Sequence, residues 1–593
     1  MSTSAEVDER TLREIYLPAF ETAVKKADPW TVMCSYNRLN GTYVSENRWL
    51  LTEVLRDEWG FNGYVMSDWG AVRDRVKGVI AGLDLEMPGS GGANDKAIID
   101  AVKNGTLSEE TLDQAVERIL NIGYRYTENR REEVFDRDAD HRKAAEIAGE
   151  CIVLLKNEVC GERTALPLAG TEKIAFIGGF AEKPRYQGGG SSHIHSHEVV
   201  SALSLKDAYA EITYAQGFSA EADTADESLM EEAVKTAQAA DKIVVFAGLP
   251  DSFESEGYDR GHMRLPECQN RLISRLAVLG KPVIVVLHNG SPVEMPWIEE
   301  VQAVVEAYLG GEAVAEAVMD ILFGRINPSG KLAETFPLRL EDNPSYLNFP
   351  GRGKHSVYAE GVFVGYRYYD TKKCGVLFPF GHGLSYTTFS YDNLKIVRTT
   401  ENVGDYRVSV DVTNTGSIAG RESVQLYISD HTEAAVRPEQ ELKGFASVML
   451  AQGETKTVVM DLDYRSFAWY DVTRKDWYAA DGIYEIRIGK SSRDIVLTEE
   501  ITLAGARAER PEINEHVMIG DLMDCPLTRN NEQTRLSPYI AEFVGTDSLA
   551  EMDDMMRNMV HDLPLSSLRS FSKLDNEGLA ELVQELKSIT EEA

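Results

Sequence analysis

The segment Gly63-Tyr64-Val65-Met66-Ser67-Asp68-Trp69 puts a carboxylate beside an indole at the end of a short apolar strand. Barrel enzymes keep reactive groups at the C-terminal ends of strands, because the loops there vary while the strands stay rigid. An acid next to a flat aromatic also suits a sugar ring, whose C–H face packs on the indole while the carboxylate works at the anomeric carbon. Cleaving a glycosidic bond takes a second carboxyl on the other side of that bond. Phe253-Glu254-Ser255-Glu256-Gly257-Tyr258-Asp259-Arg260 offers one, after an apolar strand that ends at Ala247. Acids beyond the end of a parallel strand lie where α/β proteins bind ligands. Gly257 lets the backbone bend tightly beside Glu256, and Arg260 could hold Asp259 or a substrate hydroxyl. Taken alone, the same residues also read as a solvated charged loop.

Other candidates are weaker. Asp84 and Glu86, two apart on a strand, share a face but lack an adjacent aromatic, so a structural role is expected. His193 and His195 follow the glycine-rich Gln187-Gly188-Gly189-Gly190-Ser191-Ser192, which no Gly-Lys-Ser/Thr completes as a phosphate loop. Two histidines without a third ligand make a poor metal site, and neither metal nor organic cofactor is expected. No Gly-x-Ser-x-Gly elbow supports serine chemistry.

The elements around these residues change character along the chain. Leu12, Ile15, Tyr16, Ala19, Phe20, Ala23 and Val24 form a helical stripe that Pro18 should kink or shorten. Strands are predicted at 32–36, 63–67 and 83–87, with helices between them, the last carrying Leu112, Ala115, Val116, Ile119 and Leu120. Such alternation reads as βα units with parallel strands. After a charged connector around 130–140, apolar runs at 173–178, 242–247, 282–287 and 303–308 predict a mainly parallel sheet covered on both faces. From Phe389 the pattern becomes period two, as in Tyr406, Val408, Val410 and Val412 and again in Tyr484, Ile486 and Ile488, which suits an antiparallel sandwich. The tail beyond 506 is polar, then helical. Ser548-Leu549-Ala550-Glu551 reads as a capping box ahead of Met552, Met556, Met559, Val560 and Leu563, a stripe expected to pack on the body of the protein, and a second helix is predicted over 576–589.

At 593 residues the chain is too long for one core. A net charge of -35, from 96 acidic and 61 basic residues, argues against nucleic acid and anionic membranes as partners. The six cysteines are scattered, without CxxC, as in a reducing compartment. With no apolar stretch near the N-terminus, a cytoplasmic location is expected; assembly as a homo-oligomer is left open.

Several motifs together carry a resemblance. Met33-Cys34-Ser35-Tyr36-Asn37, Leu50-Leu51-Thr52-Glu53-Val54-Leu55-Arg56, Trp59-Gly60-Phe61 and Ser67-Asp68-Trp69-Gly70 closely resemble glycoside hydrolase family 3 of the β-glucosidase type. Glu254 through Arg260, Phe323 through Leu332 and Phe378 through Tyr386 do so as well. The resemblance implies a multidomain fold: part of a (β/α)8 barrel over 1–140, an α/β sandwich over 141–388, a fibronectin type III-like β-sandwich over 389–505 and a tail over 506–593. It also implies that Asp68 is the nucleophile and Glu256 the general acid/base, with Glu254 as fallback, and that Trp69, Tyr36 and Met33 line the glycone subsite. The implied substrate is a β-glucoside or oligosaccharide, hydrolysed from its non-reducing end with retention.

One departure matters. A (β/α)8 barrel typically takes roughly 250 residues, and only about 140 precede the sandwich. The family's Lys-His pair and the upstream Arg and Asp that hold sugar hydroxyls have no counterpart; Lys25 and Lys26 lie on the first helix. The chain is therefore expected to start inside the barrel and to turn over poorly alone. A non-catalytic carbohydrate-binding remnant, a β-xylosidase or another glycosidase of the family, and a barrel completed by another chain are the alternatives. An aryl β-glucoside assay of the expressed chain tests this, and turnover matching a full-length relative would overturn it.

Overall fold

The computed structural model describes residues 2–221, 223–504, 512–524, 529–544 and 554–592. They form two compact units, 1–479 with 483–502, and 480–482 with 503–593.

The centre of the first unit is a six-stranded sheet. In spatial order its strands are Glu211–Ala215, Lys173–Ile177, Lys242–Gly248, Val283–His288, Ala303–Glu306 and Val153–Asn157. All neighbours run parallel except the last pair. Val, Ile and Phe at every position of 243–247 and 283–287, apart from Ala247 and Leu287, are fully buried because helices cover both faces. The four predicted runs are all present. Two strands escape a reading by apolar runs, and both are edges. Glu211–Ala215 alternates buried and open residues, and Val153–Asn157 follows directly on a helix. That helix, Arg137–Cys151, is capped by Asp136 and takes up the second half of the expected charged connector.

In the first 140 residues, Thr31–Cys34 and Tyr64–Ser67 pair in parallel, with Cys34 opposite Ser67. The expected third strand, 83–87, is reduced to one bridge between Met66 and Leu85. The reason is local: the amides of Asp84 and Leu85 both donate to the Val65 carbonyl, which no regular ladder allows. The Asp84 carboxylate accepts from Val65 N at 2.7 Å, Arg56 at 2.6 Å and Arg118 at 2.9 Å. It is a buried tie between strand and helices, the structural role expected of it.

Pro18 does not kink a helix but opens a new one, Pro18–Ala27, where its missing N–H costs nothing. Upstream, Ser4–Glu6 pairs in parallel with both Arg38–Leu39 and His355–Val357, binding the N-terminal region to a late segment of the sandwich domain, beyond its central sheet. Among the described residues no further strand joins the pair at 31–34 and 64–67, so the barrel is partial. An apolar groove of about 290 Å³ remains, lined by Leu12, Val24, Val32, Met33, Leu51 and Trp59 among others.

The motifs at 323–332 and 378–386 prove to be packing devices. Ser385 Oγ and Tyr386 N donate to Asn327 Oδ1, and Leu332 N donates to the His382 carbonyl. Strands between Phe389 and Leu503 form sheets of three and four, with the antiparallel pairing that period-two alternation calls for. In the tail, helices Arg529–Val544, Asp554–His561 and Asn576–Glu592 share a core of Leu536, Ile540, Val560, Leu579, Leu582 and Leu586. Met556 packs against this core and Met559 is exposed; the box at 548–551 and Met552 lie outside the described residues. No helix among the described residues is long and apolar enough to cross a membrane.

His141 clamps Arg137–Cys151 to the helix Val314–Leu322, its Nδ1 2.8 Å from Glu312 and its Nε2 3.0 Å from Glu316. Two carboxylates on both ring nitrogens suit the imidazolium, and the bonds to Glu312 and then Glu316 raise its pKa. A raised folded-state pKa adds stability that is complete below about pH 6.5 and is lost as pH rises through the folded value. His141→Gln should therefore lower Tm more at about pH 5.5 than at about pH 8.5, as measured by differential scanning calorimetry.

Candidate active site

Asp68 stands where the barrel strand Tyr64–Ser67 runs out. Its amide donates to the Cys34 carbonyl at 3.2 Å, and Ser67 N donates to the Leu85 carbonyl at 2.9 Å. The strand end is thus held from both sides. Asp68 Oδ1 accepts from Trp69 N at 2.6 Å, and the indole of Trp69 stands 66% exposed next to the acid. The Tyr36 hydroxyl donates to the Trp69 carbonyl at 3.1 Å. Met33, on the neighbouring strand opposite Met66, is open to solvent and lines the apolar groove.

The second carboxylate arrives from the sandwich. Glu256 is exposed on the loop after Lys242–Gly248, beside Gly257 at a φ of +97°. The loop 187–192, which follows the adjacent strand Lys173–Ile177, packs directly on it. The Ser191 amide donates to Glu256 Oε2, and donors from Ser191 hold the carboxyl below its ordinary range. A Cβ at Gly189 would strike Ser255, and one at Gly190, whose φ is +83°, would strike Glu256 itself. The glycine-rich run that fits no phosphate loop is therefore the seat of Glu256. Its three consecutive glycines after a strand were the available signal; their partner was not.

Tyr36 senses both acids. Its pKa is raised first by the neighbouring Asp68 carboxylate, and to a lesser degree by desolvation and the charge of Glu256. The phenol thus lies within the field of both carboxylates, which sit in different domains of one compact unit.

Glu254, the fallback acid, is occupied elsewhere. Oε2 accepts from Arg185 at 2.7 Å and from Gly290 N at 2.8 Å, while Ser291 Oγ donates to Oε1. Arg260 does not hold Asp259: its Nη1 donates to Ser291 Oγ at 2.6 Å and to the Pro292 carbonyl at 3.3 Å, while Nε and Nη2 carry no hydrogen bond. Behind this loop is a cavity of about 770 Å³, lined by Glu254, Tyr258, Arg260, Glu334, Phe349 and Tyr366 among others, but not by Asp68 or Glu256. Burial, followed by the charge of Glu254, lifts Glu334 to about 7. His193 and His195 are exposed, and the described residues contain no group of three or more metal-ligating side chains.

A carboxylate beside an indole platform at a barrel strand's end, and a second on a loop after a sandwich strand, are the groups that a glycosidase site would need. Residues 2–122 match the glycosyl hydrolase family 3 N-terminal domain, 152–386 the family 3 C-terminal domain and 422–492 a fibronectin type III-like domain. The chain belongs to glycosyl hydrolase family 3. It is 51% identical over 609 aligned residues to thermostable beta-glucosidase B of Acetivibrio thermocellus, covering 99% of this chain and 78% of that one. It is 41% identical to an exo-alpha-(1->6)-L-arabinopyranosidase of Bifidobacterium breve, covering 96% of this chain and 75% of the other. The crystal structure of the Bifidobacterium adolescentis GH3 beta-glucosidase superposes with a TM-score of 0.85 at 43% identity, covering 89% and 77% of the two chains.

If the seat of Glu256 depends on bare backbone, Gly190→Ala should lower turnover of an aryl β-glucoside by about tenfold or more, since a misplaced catalytic group costs that much. Circular dichroism should be unchanged.

Proposed function

We propose that the chain is a retaining β-glucosidase that removes terminal non-reducing glucosyl residues from β-glucosides, with Asp68 as nucleophile and Glu256 as general acid/base. The observation that carries this reading is the exposed Trp69 indole beside Asp68 at the end of a barrel strand, in a chain of family 3 whose sandwich loop presents Glu256. In the first step a carboxylate oxygen of Asp68 attacks the anomeric carbon. The bond to the leaving oxygen breaks, and the Glu256 proton passes to that oxygen. Trp69 N occupies Oδ1, which leaves Oδ2 to attack. In the second step the Glu256 carboxylate takes a proton from water, whose oxygen displaces Asp68 and restores the original configuration. The donors from Ser191 favour the ionised form of Glu256. They serve the second step and make the protonated form the scarcer one for the first. Trp69, Tyr36 and Met33 would supply the glycone wall. The scattered thiols suit a cytoplasmic enzyme.

A second reading keeps this chemistry and changes the sugar. The similarity to an arabinopyranosidase favours it, and comparing aryl β-D-glucoside with aryl α-L-arabinopyranoside separates the two.

Treating the chain with a 2-deoxy-2-fluoro-β-glucosyl fluoride should add one glycosyl mass to the peptide carrying Asp68, and none to the Asp68→Asn variant. No label, or label on another residue, would remove Asp68 from the role. A non-catalytic binding remnant would not be labelled at all.

A further inference from the structure

Glu254 and Arg260 stand at the two ends of the loop that presents Glu256, and both ends are fastened to the same place. Arg185, itself buried, grips Glu254 twice: Nη1 donates to Oε2 and Nη2 to the backbone carbonyl, each at 2.7 Å. Gly290 N and Ser291 Oγ take the rest of the Glu254 carboxylate. Arg260 returns to the same segment through Ser291 Oγ and the Pro292 carbonyl, and its Nη1 lies 3.8 Å from Glu254 Oε1. Residues 290–292 directly follow the buried strand Val283–His288, so the anchor is part of the sheet edge. Between the two fastened ends only 255–259 project, with Glu256 exposed at the turn.

We propose that Glu254 is a positioning residue: with Arg185, Arg260 and Ser291 it forms a clamp that fixes the loop so that Glu256 meets the leaving oxygen. The inference rests on Glu256 being the acid/base. Both Glu254 oxygens already accept hydrogen bonds, Oε2 two of them and Oε1 one. Burial by itself would raise the Glu254 carboxyl, but Ser291, Gly290 and Arg185 together hold it below its ordinary range. It stays an anion, suited to hold arginines and unsuited to deliver a proton. A bidentate, charge-assisted grip on both side chain and backbone gives angular control that a single ion pair lacks. General acid catalysis demands such control, because the donor must sit within hydrogen-bond reach of the oxygen it protonates.

Two measurements on the full chain test the clamp. The amides at 253 and 254, which donate to the Pro250 carbonyl, and at 290, which donates to Glu254 Oε2, should exchange about tenfold faster or more in Glu254→Gln and, less, in Arg185→Lys, but not in Glu256→Gln, as release of a local fold predicts. Unchanged exchange in Glu254→Gln would overturn the proposal, and this arm needs no turnover. In the kinetic arm, Glu254→Gln should lower turnover of alkyl glucosides by about 10- to 100-fold, within the range general acid catalysis contributes. The loss on dinitrophenyl glucoside, whose leaving group needs no proton, should be much smaller. Azide should restore turnover to Glu256→Ala and not to Glu254→Ala. Equal losses on both substrates would reduce Glu254 to a general structural role, and azide rescue of Glu254→Ala would make it the acid/base itself. If Asp68 is never labelled, the glucosidase reading fails while the exchange result still decides the clamp.

Discussion

The loop 187–192 comes so close to residues 255 and 256 that a Cβ at 189 would strike Ser255 and one at 190 would strike Glu256, and the Ser191 amide reaches the Glu256 carboxylate. This approach follows from the sheet. Strands Lys173–Ile177, Lys242–Gly248 and Val283–His288 are parallel neighbours, so their C-terminal loops leave the same edge side by side. One loop seats Glu256, one carries it and one anchors the carrier. Ligand sites at such edges are a general property of parallel sheets. Here three consecutive loops serve one carboxylate.

Ionic contacts away from solvent recur where the scaffold must be stiff. Asp84 gathers Arg56, Arg118 and the Val65 amide beneath the strand that ends in Asp68. Arg185 and Glu254 do the same beneath Glu256. Desolvating such pairs is costly, and they add little net stability compared with apolar packing. Their directionality is the gain: each fixes the angle of the segment it holds, beneath Asp68 in one case and Glu256 in the other, in a way that Leu or Val could not.

Much of this was legible in the sequence because apolar periodicity reports burial. The central strands, the antiparallel sandwich and Asp68 beside Trp69 follow from patterns of a few adjacent residues. Edge strands such as Glu211–Ala215 carry a diluted pattern and escape it. The strand at 83–87 looked regular, yet the charge of Asp84 draws its backbone off register toward Val65. The purpose of Gly189 and Gly190 could not be read locally, because it lies in a contact with residues 255 and 256, more than sixty positions on. The partners of Arg260 escape a local reading for the same reason: Ser291 and Pro292, not Asp259, belong to the next strand's loop.

Tyr36 lies near one acid through the barrel strands and near the other only through domain packing. Asp68 and Glu256 belong to segments of very large sequence separation, and pairings of that kind close late when a chain folds. The sandwich sheet can assemble from its own strands with its three loops in place, before the barrel segment has found it. Competence is then the last property the chain acquires on refolding and the first it gives up on warming. Partly folded molecules would keep nearly all their secondary structure and have no paired acids.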